Sequence, residues 1–297
     1  MTLTDKYVAP PLSVLDVKQS YWKNRRKEWL SLGIESELGR NENLLQLSEL
    51  LQRKQNGTSI FDPVLCECMY LWFSKENDKI LDCFAGGSVR GIVASKLNRH
   101  YTGVDLSKNQ IGHNIVQANA ICDKLYAPKY INSNSVEIDS VVKDKYNLLF
   151  SCPPYFNLEV YSEDPADIST MNYEDFTNDY STIIKKSVNL LEDDSFAVFV
   201  VGEVRKKDSI GENIGFVQDT IKHFKDAGCL YYNEMILLQE PATAAMRSNN
   251  YMDSSRKIAK CHQNVLVFVK GDPKKAVERM DEVKKVNVSF EKKVDFF

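Results

Sequence analysis

The chain has 297 residues, 43% hydrophobic and 27% charged, a balance ordinary for a globular protein with a sizeable core. A formal net charge of −3 gives no global pull toward nucleic acid or anionic lipid, so any such contact has to be local. No apolar run reaches the length of a membrane span and MTLTDKYVAPPLS lacks the layout of a signal peptide, so the expectation is a cytoplasmic protein with no membrane partner.

Seven cysteines are scattered through apolar runs without a CxxC pair, and the four histidines (100, 113, 223 and 262) show no HxxxH spacing. Neither a disulfide framework nor a metal site is expected. In chain order, residues 1–17 read as a poorly ordered lead-in broken at Pro10–Pro11. Lys18–Leu30 interleaves Lys18, Lys23, Arg25, Arg26 and Lys27 with Tyr21, Trp22 and Trp29. That mixture suits a polyphosphate with stackable bases. It equally suits an amphipathic helix with its tryptophans turned inward, and both readings stay open. Leu44, Leu47, Leu50 and Leu51 predict a short helix over Asn43–Lys54, and Gln55–Ser59 a loop. Asp62 as N-cap and Pro63 at the first helical position open a helix that runs to Phe73.

Ile80, Leu81, Cys83 and Phe84 form the apolar run of a strand buried on both faces. Gly86 and Gly87 supply a turn with no side chains in the way, and Ser88 is placed to cap the next helix, whose stripe is Val89, Ile92, Val93 and Leu97. Tyr101–Leu106 is the following strand. It delivers Asp105 to its carboxyl end about twenty residues after the turn, the position that reaches a ribose diol in doubly wound sheets. FAGGSVRG is neither GxGxxG nor a phosphate-binding GxxxxGK[ST] loop. At this point a nucleoside-cofactor half-site and a plain βαβ unit with closely packed glycines are both compatible with the residues.

Downstream, the spacing predicts a helix over Ser107–Leu125 and strands over Tyr130–Asn134 and Tyr146–Ser151. A helix over Tyr173–Leu191, a strand over Phe196–Val201, a helix over Phe216–Ala227 and a strand over Leu230–Leu238 follow. Residues 240–260 read as a polar and basic connection, Asn264–Val269 as the last strand, and the tail as a short helix with an extended piece. The alternation predicts a doubly wound, mostly parallel α/β sheet of seven strands (Rossmann-like) with an antiparallel edge strand.

Ser151-Cys152-Pro153-Pro154-Tyr155-Phe156 stands at the carboxyl end of the fourth predicted strand, the same edge as Gly86, Gly87 and Asp105. Two successive prolines fix two φ angles and remove two donors, leaving carbonyls preset to accept hydrogen bonds. With Tyr155 as a stacking ring, such a motif suits a flat heterocycle carrying an exocyclic amine. The combination FAGG, GVD and SCPPY resembles the amino-methyltransferase branch of the DNA methyltransferases, whose corresponding motif is usually [Asp/Asn/Ser]-Pro-Pro-[Tyr/Phe]. GTSIFDPVLCE, FAGGSVRGIVAS, SCPPYFNLEVYSEDPADIS, FVVGEVR and HQNVLVFVKGD are similar to DNA methylases carried by phages and prophages, from about Tyr21 to about Asp272.

The resemblance implies S-adenosylmethionine as cofactor, double-stranded DNA as partner, and methyl transfer to N6 of adenine or N4 of cytosine. In the family's terms the cofactor motifs precede the catalytic one, the γ-like order, and a monomer or homodimer is expected. Carried over, Asp82, Phe84, Ala85, Gly86 and Gly87 would line the methionine and ribose, Asp105 would bind the ribose hydroxyls, and Asn134 would face the adenine ring. Phe61 and Asp62 would lie beside the methionine end, and Cys152, Pro153, Pro154 and Tyr155 would hold the target base. Cys152 departs from the family pattern. It is closer in size to the serine of cytosine enzymes than to aspartate, which tilts the expectation toward N4 of cytosine. The 157–172 loop is expected to act as a lid. Arg25, Arg26, Arg247, Arg256, Lys257 and Lys260 are the expected DNA contacts, four of them in the 241–262 loop. The expected division is a helical extension (1–57), a catalytic domain (58–272) and a charged tail (273–297). C5 methylation with Cys152 as nucleophile, an RNA methyltransferase of the same fold, and a non-catalytic nucleic-acid binder are the competing readings.

Overall fold

A computed structural model describes residues 2–35, 61–155, 167–206, 211–240 and 244–290. The helix expected over Asn43–Lys54, the loop at Gln55–Ser59 and most of the expected lid lie outside these residues.

The chain opens with α1 (Leu3–Tyr7), β1 (Val14–Asp16), α2 (Ser20–Ser31) and α3 (Pro63–Phe73). It continues through β2 (Lys79–Asp82), α4 (Val89–Lys96), β3 (His100–Asp105), α5 (Lys108–Ile121), β4 (Lys129–Asn132) and α6 (Ile138–Val141). Then come β5 (Tyr146–Ser151), α7 (Tyr173–Asn189), β6 (Leu191–Val201), α8 (Phe216–Asp226), β7 (Cys229–Leu238), α9 (Ala244–Ser255), β8 (His262–Lys270) and α10 (Pro273–Glu278).

The strands form one sheet in the order β1-β7-β8-β6-β5-β2-β3-β4. Every pairing is parallel except those of β8, which runs antiparallel to both β6 and β7. The doubly wound α/β architecture read from the alternation is therefore present, with eight strands instead of seven. The antiparallel element lies at the expected side of the sheet but two strands in, with β7 and β1 outside it. Chain order runs outward from β2 in one direction and from β5 in the other, so the topological switch point falls between these two neighbours. In open α/β sheets the ligand crevice lies at this point, outside the carboxyl ends of the strands.

Alternation along the strands divides the core into two layers. Ile80, Leu148, Phe150, Val198 and Val267 face the layer containing α3 and α4, while Leu81, Cys83, Leu149, Phe199 and Phe268 face α7 and α8. The eighth strand, β1, is three residues long, too short for a period to show in sequence. It pairs in parallel with Ile236–Leu238, extended by Ile236 N donating to Ser13 O at 2.8 Å, so the expected lead-in belongs to the sheet. The 240–260 connection likewise contains an unexpected helix, α9.

The basic and aromatic segment folds as α2 and covers α3. Asp62 caps α3 as expected, its Oδ1 accepting from Val64 N at 2.8 Å and Leu65 N at 3.2 Å, and its Oδ2 accepts from Trp22 Nε1 at 3.1 Å. Glu67, in the middle of α3, is fully buried. It accepts from Arg25 Nε at 2.8 Å, Arg25 Nη2 at 2.5 Å and Trp29 Nε1 at 2.7 Å. Arg25 is thus a correction to the expected DNA contacts: its guanidinium is consumed inside the protein by Glu67, Glu28 and Val286 O. Residues of the extension, the central region and the tail share one core cluster, since Trp22 and Trp29 pack with α3 and Phe290 sits edge-on to Trp29 at 5.2 Å. No helix among the described residues is long and apolar enough to cross a membrane.

Removing one member of a buried ion pair strands the other charge, at a cost of about 3–5 kcal/mol. Arg25→Met is accordingly expected to lower the urea midpoint of unfolding at unchanged slope. A cation serving only to touch phosphate would leave that midpoint where it is.

Candidate active site

β2 and β5 lie side by side in register Ile80↔Leu148 and Leu81↔Leu149, so the diglycine turn after β2 and the Pro-Pro turn after β5 leave the sheet together. One buried carboxylate joins them. Asp82 Oδ1 accepts from Ser151 Oγ at 2.6 Å and from Phe84 N at 3.1 Å, while Oδ2 accepts from Arg90 Nε at 2.5 Å and Tyr101 OH at 2.7 Å. Ser151 Oγ in turn accepts from Phe84 N at 3.2 Å. Asp82 is 0% exposed, so it stands behind the turn and braces it, where the resemblance had placed it against the ligand. Asp62 serves the α3 cap with Oδ1, which accepts from two α3 amides, and accepts from Trp22 with Oδ2.

Arg90, on the first turn of α4, completes the brace. Its Nη2 donates to Phe84 O at 2.6 Å and Ala85 O at 3.0 Å, and its guanidinium lies 4.5 Å from the centre of the Phe61 ring. Ala85 is buried with its N–H on Val104 O at 3.0 Å, and a Cβ placed on Gly103 would come within 2.8 Å of the Ala85 methyl. Ala85 therefore shapes the turn from below, and Gly103 is what lets the turn sit so close to β3. Phe84, Gly86 and Gly87 remain half-buried at the crevice.

Gly86 takes a positive φ of +49°. Its N–H donates to Asp105 Oδ2 at 2.7 Å and its carbonyl accepts from Asn114 Nδ2 at 2.6 Å. Asp105 Oδ1 accepts from Ser107 N at 2.9 Å. Burial pushes the Asp105 carboxyl above its ordinary range, and the Ser107 and Gly86 amides offset only part of that shift. Each of its oxygens has one main-chain donor and room in its lone pairs for another. Ser88 does not cap α4 with its side chain: the hydroxyl is buried at the turn and has no hydrogen-bond partner among the described residues. Asn134 uses its Oδ1 to accept from Val136 N at 2.9 Å. The neighbouring Ser135 Oγ donates to Cys83 O at 2.6 Å, which ties the end of β4 to the same crevice.

On the other side of the switch point, Pro153 is buried while Cys152, Pro154 and Tyr155 are half-buried. Tyr155 lies against Gly202 at the carboxyl end of β6, where an added Cβ would sit 3.3 Å from the ring. Its ring meets Phe216 edge-on at 6.2 Å. Its hydroxyl accepts from Gln263 Nε2 at 2.5 Å, and Gln263 Oε1 accepts from Gln239 Nε2 at 2.9 Å. The structure thus brings Phe61, Phe84, Gly86, Asp105, Asn134 and Cys152–Tyr155 to one rim.

The expected DNA contacts separate. Arg247, Arg256 and Lys260 are exposed on or just after α9, and Lys257 reaches Gly211, where its Nζ fills the space an added Cβ would need. Desolvation holds the Lys260 ammonium below its ordinary range against the pull of Glu203. Arg26 is partly exposed beside Asp62, with Nε 3.8 Å from Oδ2. Residues 241–243 lie outside the described residues, and no group of three or more metal-ligating side chains occurs among those described. Ser151, Arg90, Tyr101, Asn114 and Gln263 went unrecognised in the sequence. Only Arg90 left a signal there, as a charge on the sheet-facing stripe of a helix.

No protein-family model matches the sequence, and no curated protein matches it. Among solved structures, the chain is similar to TrmN from Thermus thermophilus, at 12% identity and a TM-score of 0.47, over 71% of this chain and 49% of that one, so it spans about half of TrmN. It is similar to a methyltransferase from Pyrococcus furiosus at 13% identity and a TM-score of 0.47, over 84% of this chain and 100% of that one. It is also similar to the magnesium protoporphyrin IX methyltransferase ChlM from Synechocystis PCC 6803, solved with bound SAM, at 10% identity and a TM-score of 0.47, over 81% and 97% of the two chains. Likenesses this distant assign no activity to the present chain.

Proposed function

We propose that this protein transfers a methyl group from S-adenosylmethionine to an exocyclic amine of a base flipped out of double-stranded DNA, as in the phage-type amino-methyltransferases its motifs resemble. The observation that carries the reading is the shared crevice. The diglycine turn, bonded to Asp105, and the Pro-Pro turn leave one sheet at its switch point and are joined through Asp82 and Ser151, which supports a cofactor and a base held side by side.

The residues on the cofactor side fit such a group. Asp105 has lone pairs left for two ribose hydroxyls, and the orphaned Ser88 hydroxyl lies at the positive end of α4, suited to a carboxylate. When bound, S-adenosylmethionine supplies an electrophilic methyl on a positively charged sulfur.

On the base side, the main-chain carbonyls of Cys152 and Pro153 accept from the amine N–H groups, and the Tyr155 ring stacks on the heterocycle. A carbonyl that accepts from the amine favours the more tetrahedral, more nucleophilic nitrogen, an interaction stronger in the transition state than in the ground state. The proton leaves afterwards, so no strong general base is required. Gln263 and Gly202 fix the Tyr155 ring, and this positioning together with exclusion of water supplies the rate. A duplex shields its bases, which is why the base must be extruded. The Cys152 thiol is a weak hydrogen-bonding group close in size to serine, which favours N4 of cytosine.

Tyr155→Ala is expected to abolish methyl incorporation into duplex DNA while S-adenosylmethionine still binds in calorimetry. Loss of both together contradicts the assignment. Cys152→Ser is expected to keep activity, because a thiol used only for its size is replaceable. A dead Cys152→Ser enzyme would transfer the reading to covalent C5 chemistry.

Asp105→Asn is expected to weaken cofactor binding about tenfold to a hundredfold, the loss of charge-assisted hydrogen bonds. In the wild type the same affinity should fall on acidification, beginning at a higher pH than the 3.8 of an ordinary aspartate would dictate, because the raised carboxyl protonates earlier. An affinity that does not change with pH over that range would remove Asp105 from the site.

A further inference from the structure

Residues 239–261 connect the carboxyl end of β7 to the start of β8. Because β8 is the antiparallel strand, both feet of the connection stand on the same rim as the crevice. The feet are joined to each other and to the site: Gln239 Nε2 donates to Gln263 Oε1 at 2.9 Å, Gln239 N donates to Cys261 O at 2.9 Å, and Gln263 holds the Tyr155 hydroxyl. What stands on these feet is α9, a twelve-residue helix without a single buried residue. Helices of this length draw most of their stability from packing, and one with ten of its twelve residues exposed presents a surface to a partner.

Its composition says what. Between 244 and 260 the chain carries Arg247, Arg256, Lys257 and Lys260 against Asp253 alone, in a protein whose net charge is negative. Arg247, Asn250, Tyr251 and Ser254 follow at i, i+3, i+4 and i+7 and share one face of α9. Arginine and asparagine are the side chains that pair bidentately with guanine and adenine edges in the major groove, a groove wide enough to admit a helix. The helix ends at Arg256, whose φ of +54° is a conformation glycine adopts without strain, yet the chain places a cation there. Met246, 84% exposed on the first turn, adds an apolar contact of the kind a thymine methyl takes.

We infer that α9 is the sequence-reading helix of this protein: it enters the major groove of duplex DNA, Arg247 and Asn250 contact base edges, and Arg256 and Lys257 contact phosphates. The Gln239–Gln263 clamp fixes the reach from the base pairs that are read to the base on Tyr155. This rests on the proposed DNA methylation and assigns its specificity to one element. An A-form RNA helix has a major groove too deep and narrow for such a reader.

The test incubates the full chain and its variants with S-adenosylmethionine and a randomised duplex DNA library, then sequences the methylated positions. For Arg247→Ala and Asn250→Ala, the preference at one base pair each is expected to relax by about tenfold, the scale of one lost bidentate contact, with cofactor affinity and melting temperature as in the wild type. Arg256→Glu with Lys257→Glu is expected to weaken binding to all sequences alike and to flatten the salt dependence by about two phosphate contacts. A wild type with a clear site preference that both base-edge variants retain overturns this inference alone. A wild type that methylates no DNA duplex, or only RNA, overturns the functional reading and this inference with it.

Discussion

The crevice depends on a carboxylate that never touches it. Asp82 lies at the end of a central strand with no solvent to hydrate it, and a lone charge there would be far too costly to keep. It is tolerated because four donors surround it, from Ser151 on β5, Tyr101 on β3, Arg90 on α4 and the backbone of Phe84. Each donor belongs to a different part of the fold, so satisfying one buried group fixes the mutual placement of three strands, a helix and a turn. A buried ion pair of this kind contributes little net stability compared with apolar packing. What it secures is geometry, since the turn over residues 84–87 cannot shift without leaving a charge unpaired.

Around that fixed point the protein removes side chains where two backbones must approach. Gly103 lets the turn rest on β3, Gly86 bends it with a positive φ, and Gly202 gives Tyr155 a flat seat at the end of β6. Asp105 keeps lone pairs open at the rim and Ser88 keeps a buried hydroxyl without a partner among the described residues, while Asp82 is fully buried and takes four donors. That sorting of polar groups into spent and unspent separates scaffold from site more sharply than position in a motif does.

Much of this was readable in the residues themselves. The alternation of apolar runs and amphipathic stretches gave the sheet and its winding, because burial on both faces of parallel strands leaves long hydrophobic words such as Phe196–Val201. The diglycine turn, Asp105 and the Pro-Pro turn were legible because each must occupy a strand end. What stayed hidden was whatever depends on a distant partner. Asp82 reads as a ligand until Ser151 and Tyr101 are seen to claim it. Arg25 reads as a surface cation until Glu67, 42 residues away, is found inside the core. β1 carries too few residues to show a period, and α9 has no apolar stripe, in keeping with a helix that buries none of its residues.

The tail after α10 has a consequence for the order in which the molecule is made. Lys6 bonds Glu282, the Lys285 amide donates to Lys6 O, and Val286 O receives Arg25, so the first helices are completed by residues some 276 positions later. On a ribosome adding about 5–20 residues per second, that gap is roughly 15–55 s. For that interval Trp29 lacks the edge-on Phe290 ring that covers it in the finished chain.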